Sequence, residues 1–238
     1  METPVYEPFN VKIRIEIAKL RKMSFKDKLE YIWEYYKPLL LAVAAFLIIL
    51  GSVINTMVFN PPAQTALLIE WSAGFVFDEQ LVTFTDVLTE RLIDESDNEI
   101  VTATLFFDAP QDPQMQMAMT SRRIAMVSAG ELDILIQNSE QLTNTTQIGM
   151  IMPLDAILAE IQSKNPMIWG IAEERLIYAL HDPFEDGGEE RIMGIDISGS
   201  SLLGELDFYE GKLVFSVVTN SGRLENVTNA LILLLESV

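Results

Sequence analysis

Residues 128–142, SAGELDILIQNSEQL, contain the run on which our prediction of the fold depends. A small residue and Gly130 are expected to end a helix, and LDILIQ at 132–137 has the composition of a strand that is buried on both faces. The polar residues from Asn138 onward predict a loop. A strand covered on both faces is typical of the interior of a parallel sheet.

Strands and helices alternate on either side of this run. TALLIEW (65–71) and EIVTATLFF (99–107) predict strands, and residues 78–94 and 113–129 have helical periodicity. Three strands joined by helices of this length predict a three-layer α/β domain with a mainly parallel sheet and right-handed crossovers. The later segments are predicted as helices over 152–163 and 226–235, a short helix near Leu202, and strands over 174–180, 192–198 and 212–221.

An uncharged stretch, PLLLAVAAFLIILGSVINTMVF, occupies residues 38–59. About 20 apolar residues, at about 1.5 Å each, are enough to cross a hydrocarbon layer of about 30 Å. A buried core helix seldom runs this long without a polar face. A cleaved signal peptide has a shorter apolar region behind a shorter basic start. We therefore predict a retained transmembrane helix, a linker at 60–64 and a folded domain over 65–238.

The segment before the span, residues 1–37, is basic and partly amphipathic. VKIRIEI at 11–17 alternates apolar and charged residues, which predicts a short strand or an extended arm. Ser24 then caps an aromatic helix that we expect to lie along the inner headgroups and to turn at Pro38 into the span. An ordinary cytoplasmic helix packed on a partner is the alternative. The expected membrane-interface residues are Tyr31, Trp33, Tyr35, Tyr36 and Lys37.

The charges are divided unequally along the chain. Eight of the 16 Lys and Arg residues precede residue 38, whereas 29 of the 35 acidic residues follow residue 59. Because basic flanks stay in the cytoplasm, we expect a single-pass plasma-membrane protein with a cytoplasmic N-terminus and an extracellular C-terminal domain. That domain has eight basic and 29 acidic residues, a formal charge of −21. Such a charge disfavours nucleic acid as a partner. It suits a basic partner, or simply a solvated acidic surface.

Residue types that carry catalysis or bind metals are scarce. There is no Cys, which excludes disulfides and thiolate chemistry and is common in bacterial surface domains. The only histidine, His181, opens an acidic turn at 181–191 whose spacing does not fit a calcium-binding loop. We expect no catalytic residue, no cofactor and no metal. The rival interpretation is a membrane-anchored hydrolase that uses Asp or Glu residues such as Asp133 and Asp196.

The order of elements carries a resemblance. Strand, helix, strand and helix are followed by AGELDILI, GMIMPLDAIL, GIDIS and LVFSVVTNS before a final helix. This order resembles one lobe of the type 2 bacterial extracellular solute-binding proteins, and it covers most of residues 65–238. Only about 50 residues separate Gln137 from Ile192, too few for a second lobe of comparable size. The resemblance therefore implies a truncated periplasmic-binding-like lobe, in which a closed cleft for a small-molecule ligand is disfavoured but such a ligand is still possible.

A second resemblance covers the N-terminal region. SFKDKLEYIWEYYK and the span that follows are similar to the start of a group of single-pass membrane proteins from Gram-positive bacteria, mostly of unassigned function. Together the two resemblances imply a membrane-tethered, non-enzymatic binding or accessory protein. Its expected partners are the lipid bilayer and another membrane protein, for example in a transporter or other membrane complex.

A ligand site in a sheet of this kind is expected at the carboxyl ends of the strands, where loops and helix N-termini present N–H groups. SAG at 72–74 is also typical of a tight strand-to-helix turn, and Asn138 and Ser139 form a lip only if something lies opposite them. The candidate residues after the first three strands are Ser72, Ala73, Gly74, Asp108, Gln137, Asn138 and Ser139.

Overall fold

A long helix, α1 (Phe25–Ile54), begins at Ser24. The Asp27 N–H donates to Ser24 Oγ (3.3 Å), and the Ser24 hydroxyl donates to Asp27 Oδ2 (2.7 Å). This reciprocal pair satisfies a backbone donor that the first helical turn leaves without a partner. The prediction of Ser24 as the N-cap is therefore confirmed.

The computed structural model describes residues 14, 17–19, 21, 23–94, 98–106, 112–181, 188–206 and 211–238.

Helix α1 continues through Pro38, so the predicted turn at this residue is wrong. A proline removes one backbone hydrogen bond, and the remaining bonds of a long helix tolerate that loss. The helix is extended by a π-helical turn over Asn55–Phe59. By length and composition the segment Tyr36–Phe59, with 24 residues and a mean hydropathy of 2.4, is able to cross a membrane.

The predicted extended arm at 11–17 lies mostly outside the described residues. Arg14 and Ile17, which are described, are helical, so the prediction is wrong at these two positions. Seven residues are too few for an alternating pattern to outweigh the helix propensity of Lys, Arg and Glu.

The chain divides into two compact units, residues 1–62 and 63–238. The second unit contains a seven-stranded sheet and the remaining helices. Its strands are β1 (Gln64–Trp71), β2 (Glu99–Leu105), β3 (Ile134–Gln137), β4 (Ile151–Met152), β5 (Leu176–His181), β6 (Glu189–Asp196) and β7 (Val214–Val218). Its helices are α2 (Asp78–Leu92), α3 (Pro113–Ser128), α4 (Ser139–Gln147), α5 (Asp155–Lys164), α6 (Pro166–Glu173) and α7 (Leu224–Glu236), with a 3₁₀ turn at Gly204–Leu206.

The sheet is mixed. Its order is β2-β1-β3-β7-β6-β5, and β4 pairs with β7. The pairs β1–β2 and β1–β3 are parallel, whereas β7 is antiparallel to β3, β4 and β6, and β5 is antiparallel to β6. The expectation of a mainly parallel sheet therefore holds only for the first three strands. A fully buried run such as β7 has the same composition in either direction, so composition does not reveal its orientation.

Two clusters of buried side chains hold the second unit together. Ile134 and Ile136 of β3 belong to the larger cluster, with α2, α5, α6 and α7. Leu135, which points to the opposite face of the sheet, belongs to the smaller cluster with Leu142 of α4, and Met126 of α3 packs against this cluster. All four residues of β3 are buried, as the sequence predicts.

Candidate functional site

The carboxyl ends of β1 and β3 lie side by side. The Ser72 N–H donates to the Ile136 C=O (2.8 Å), which brings the loop after β1 next to the start of α4. Ser72 and Ala73 are buried, and the Gly74 C=O accepts a hydrogen bond from Trp71 Nε1 (3.1 Å). The SAG loop thus has a structural role as the turn that leads from β1 toward α2.

The polar residues after β3 begin a helix, so the predicted loop from Asn138 is wrong. Asn138 Oδ1 accepts the Gln141 N–H (2.9 Å), and Gln141 Oε1 accepts the Asn138 N–H (3.4 Å). This capping box starts α4, whose first residue, the exposed Ser139, lies beside it. Gln137 is buried and is bonded to Ser216 Oγ (3.1 Å) and Thr145 Oγ1 (3.2 Å). The side chains of Gln137 and Asn138 are therefore engaged within the protein.

Other predicted positions fall in different parts of the chain. Asp108 and residues 182–187 of the predicted acidic turn lie outside the described residues. His181 ends β5 and residues 189–191 begin β6, so the prediction of a turn over 181–191 is wrong at these positions. In α1 the Lys37 Nζ lies 5.6 Å from the ring centroid of Trp33, and the Tyr31 and Tyr36 rings are 6.3 Å apart. Tyr35 belongs to the same helix. Within the described ranges, no three His, Asp or Glu side chains come close enough to hold a metal ion.

Beyond the SAG loop two phenyl rings are exposed to solvent. Phe75 and Phe77 are 63% and 66% exposed, and their centroids are 5.2 Å apart in an edge-to-face arrangement. The Phe77 N–H donates to Gln80 Oε1 (3.0 Å), which places Phe77 directly before the first turn of α2. Large aromatic side chains held on the surface in this way are typical of contact sites for other molecules.

Phe77 forms one wall of a groove of about 640 Å³, which we call the aromatic groove. One flank of α2 forms its second wall, and the segment around the 3₁₀ turn forms its third. The buried face of α2, with Leu81, Phe84 and Leu88, fixes this helix on the larger cluster. The lining residues are Phe77, Glu79, Gln80, Thr83, Phe84, Val87, Leu202, Leu203, Gly204 and Leu206.

A buried ion pair joins Glu70 of β1 to Arg123 of α3. The Arg123 guanidinium also lies over the Phe106 ring, 3.2 Å from its centroid. Burial raises the pKa of the Glu70 carboxyl, and the hydrogen bond and positive charge of Arg123 oppose this rise. Because both side chains are about nine-tenths buried or more, the pair holds α3 on the sheet rather than facing a ligand. The sequence signal that we overlooked is a Glu inside the apolar strand TALLIEW.

The two carboxylates named as examples for the hydrolase interpretation, Asp133 and Asp196, are used in structural contacts. Asp133 is completely buried and accepts hydrogen bonds from the Leu68 N–H (2.8 Å), Ser221 Oγ (2.7 Å) and Arg223 Nε (3.1 Å). Asp196 accepts the Ser198 N–H (3.0 Å) and lies 3.6 Å from Lys212 Nζ. These contacts disfavour a hydrolase that uses either residue.

No protein-family model and no curated protein matches this chain. Among solved structures, the chain is similar to an extracellular solute-binding protein of family 1 from Alicyclobacillus acidocaldarius subsp. acidocaldarius DSM 446, at a TM-score of 0.31 and 16% identity. The match covers 58% of this chain but only 29% of that protein. The solute-binding protein is therefore a weak and partial structural neighbour, and the similarity concerns the fold alone.

Proposed function

We propose that this chain is a single-pass, non-enzymatic binding or accessory protein of a bacterial plasma membrane, of the Gram-positive type. In this proposal α1 crosses the membrane, and the acidic unit 63–238 lies outside and binds a partner protein. The apolar segment Tyr36–Phe59 supports the anchor. The basic residues before it and the acidic residues after it support the orientation.

The helix before the span fits the inner membrane interface. Tyr31, Trp33, Tyr35, Tyr36 and Lys37 would lie at headgroup level, since Tyr and Trp prefer this zone and Lys reaches the phosphates. The position of the Lys37 ammonium near the Trp33 ring is compatible with such an arrangement.

The observation that carries the proposal is the exposed pair Phe75 and Phe77 beside the aromatic groove. Two phenyl rings in water are unfavourable for an isolated domain, and their burial against a partner would provide affinity. The expected small-molecule site after β1 and β3 is less well supported. The Ser72 N–H, the Gly74 C=O and the Asn138 side chain already have partners within the protein.

A photo-crosslinking experiment in the native membrane tests the proposal. Benzoylphenylalanine is placed at Phe77 in one full-length variant and at Met167, which is 84% exposed, in a matched control. We expect an adduct with one defined protein from position 77 and none from position 167. Phe75→Ala should weaken the adduct. Equal adducts from both positions, or none from position 77, would overturn the proposal.

A further inference from the structure

Within the described residues β2 is an edge strand of the sheet. The Phe106 N–H, directly after β2, donates to the Trp71 C=O (2.9 Å), so the backbone of Phe106 faces β1. Successive strand residues direct their N–H and C=O groups to opposite sides. Ala103 and Leu105 therefore direct these groups away from β1. The outer side of β2 has the donors and acceptors that a further strand needs.

A groove of about 450 Å³ follows this outer side of β2, and we call it the edge groove. Six consecutive residues of β2 and one flank of α2 line it. Since side chains alternate along a strand, a groove that contacts all six follows the backbone edge. At one end the Val101 N–H donates to Thr89 Oγ1 (2.9 Å). The lining residues are Asp78, Leu81, Val82, Thr85, Asp86, Thr89, Ile100, Val101, Thr102, Ala103, Thr104 and Leu105.

The charged residues that line the edge groove have one sign, although the Arg122 guanidinium donates to Oγ1 of the lining residue Thr104 (3.0 Å). Asp78 and Asp86 are its only charged lining residues among those described, and both lie on α2. Eight residues apart on a helix, they are about 12 Å from each other along the axis. Four residues of an extended strand cover about 13 Å. Between the two aspartates the helix presents Leu81 and Val82, of which Val82 is 56% exposed.

We propose that β2 binds an extended segment of the partner protein as an additional strand of the sheet. The bound segment has basic side chains at positions i and i+4, opposite Asp78 and Asp86, and an apolar side chain at i+2 over Val82. Backbone hydrogen bonds to Ala103 and Leu105 provide affinity, and the two aspartates provide specificity. The inference depends on the proposed function only in that it requires a protein partner.

A second copy of this chain is a poorer occupant of the edge groove. Pairing of β2 with its own copy would bring the aspartates of two acidic units together, each with a formal charge of −21 from eight basic and 29 acidic residues. Like charges across an interface oppose association. A basic segment has the opposite effect, and its association would be faster at low salt.

The test uses full-length protein in nanodiscs of uncharged lipid and a fluorescein-labelled peptide, acetyl-TKTVTKT-amide. Fluorescence anisotropy of the label measures the binding of the peptide to the protein. Its acidic counterpart, acetyl-TETVTET-amide, should not bind. Peptides N-methylated either at the Lys and Val residues or at the inner Thr residues lack the N–H groups of one side. We expect one of these two sets to lose binding and the other to retain it, because only one side pairs with β2. The inference would be overturned if both N-methylated peptide sets lost binding, or if neither set did.

Protein variants test the same contact from the other partner. Ala103→Pro removes the outward N–H and places the ring in the edge groove, a change that edge strands accept. We expect it to raise the peptide Kd about tenfold or more. Ala103→Val keeps the N–H and should leave Kd unchanged. Asp78→Asn with Asp86→Asn should raise Kd about fivefold and reduce its salt dependence. Glu173→Gln with Glu236→Gln removes the same amount of charge outside the groove. This control should change neither the Kd nor its salt dependence.

The outcomes separate this inference from the proposed function. Absence of peptide binding with an intact Phe77 adduct would reject strand addition and leave the aromatic groove as the partner site. Peptide binding that depends on Ala103, without a Phe77 adduct, would support strand addition and reject the aromatic groove. Self-association that Ala103→Pro abolishes, with no peptide binding, would identify a second copy as the occupant and contradict the inference.

Discussion

At the residue scale, Asp133, directly before β3, connects the middle of β1 to the segment that begins α7. Its carboxylate contacts Arg223, which also donates to the Thr65 C=O (2.7 Å) and to the Glu131 C=O. Removal of one partner from a buried carboxylate–arginine pair is costly. The partner that remains is still charged and desolvated, and no opposite charge compensates for this.

We therefore predict that Asp133→Asn lowers the free energy of unfolding by about 3 kcal/mol. The amide would leave the Arg223 charge unpaired and would bring its own NH₂ group against donors. Urea unfolding of the full-length protein, followed by circular dichroism, measures the loss. Glu160→Gln, which affects an exposed pair with Lys164, is the control and should keep the urea midpoint. A midpoint of Asp133→Asn equal to that of the control would contradict the prediction.

Glu70 gives a prediction about pH. Burial raises the pKa of its carboxyl above the ordinary value of 4.5, and Arg123 opposes this rise. The folded state then keeps the proton to higher pH than the unfolded chain. The contribution of Glu70 to stability is therefore full below pH 4.5 and is lost as pH rises through the folded-state pKa.

The measurement compares wild type with Glu70→Gln, which has no proton to lose. We expect the free energy of unfolding of wild type to fall relative to that of the variant as pH rises from about 4 to 7. The interaction with Arg123 requires the ionised carboxylate, so it is already part of the folded-state pKa that this difference reports. The remaining effects of Gln on packing do not depend on pH, since neither Gln nor Arg titrates in this range. A difference that is constant, or that grows with pH, would show that the pKa is not raised.

At the scale of the elements, β6 depends on a residue without a side chain. Gly194 lies at an irregularity in the pairing of β5 with β6. A Cβ at this position would overlap the Val214 Cγ1 and lie 3.3 Å from the Phe215 C=O oxygen. The close approach of β6 to β7 therefore requires glycine.

We predict that Gly194→Ala destabilises the second unit by about 1–3 kcal/mol, because the close-packed neighbours cannot move without strain. Gly170→Ala in α6 is the matched control: nothing lies within 4 Å of its added Cβ. That variant should be as stable as wild type or gain up to about 1 kcal/mol from helix propensity. Urea unfolding of the two variants checks the contrast, and equal midpoints would contradict it.

The elements also show how far the sequence could predict the fold. Strong apolar patterns predicted β1, β2, β3, α2 and α3, and the positions of β5, β6 and β7, to within a few residues. They did not predict α6 or β4, whose Met152 lies in the helix predicted over 152–163. Helix α4 was not predicted, because SEQLTNTTQ is polar and rich in Thr. The pair Asn138 and Gln141 nevertheless has the pattern of a capping box. The direction of β7 was not predicted, because antiparallel pairing depends on tertiary contacts that composition does not determine.

The candidate site was less predictable than the fold. The rule that places ligands at strand ends directed attention to Ser72 and Asn138, which the structure uses for a turn and a cap. The aromatic groove depends on residues 77–87 meeting residues 202–206, which are far apart in the chain. Phe75 and Phe77 flank a single valine in the sequence, so only their exposure distinguishes them from core residues.

At the scale of the whole molecule, the proposed arrangement separates the charges between two compartments. A basic N-terminal segment on the inner side and an acidic unit on the outer side agree with the rule that Lys and Arg residues are retained in the cytoplasm. The chain has no Cys, so single cysteines can report the compartment of any position without background.

We predict that Met167→Cys reacts with a membrane-impermeant maleimide in intact cells, because the side chain at this position is exposed and the proposal places it outside. Glu30→Cys, which is also exposed, should react only after the cells are broken. Leu47→Cys, within the apolar segment, should react in neither case, since the reactive thiolate does not form in hydrocarbon. Labelling of Glu30→Cys but not of Met167→Cys in intact cells would reverse the orientation. Labelling of Leu47→Cys would show that the segment is not embedded in lipid.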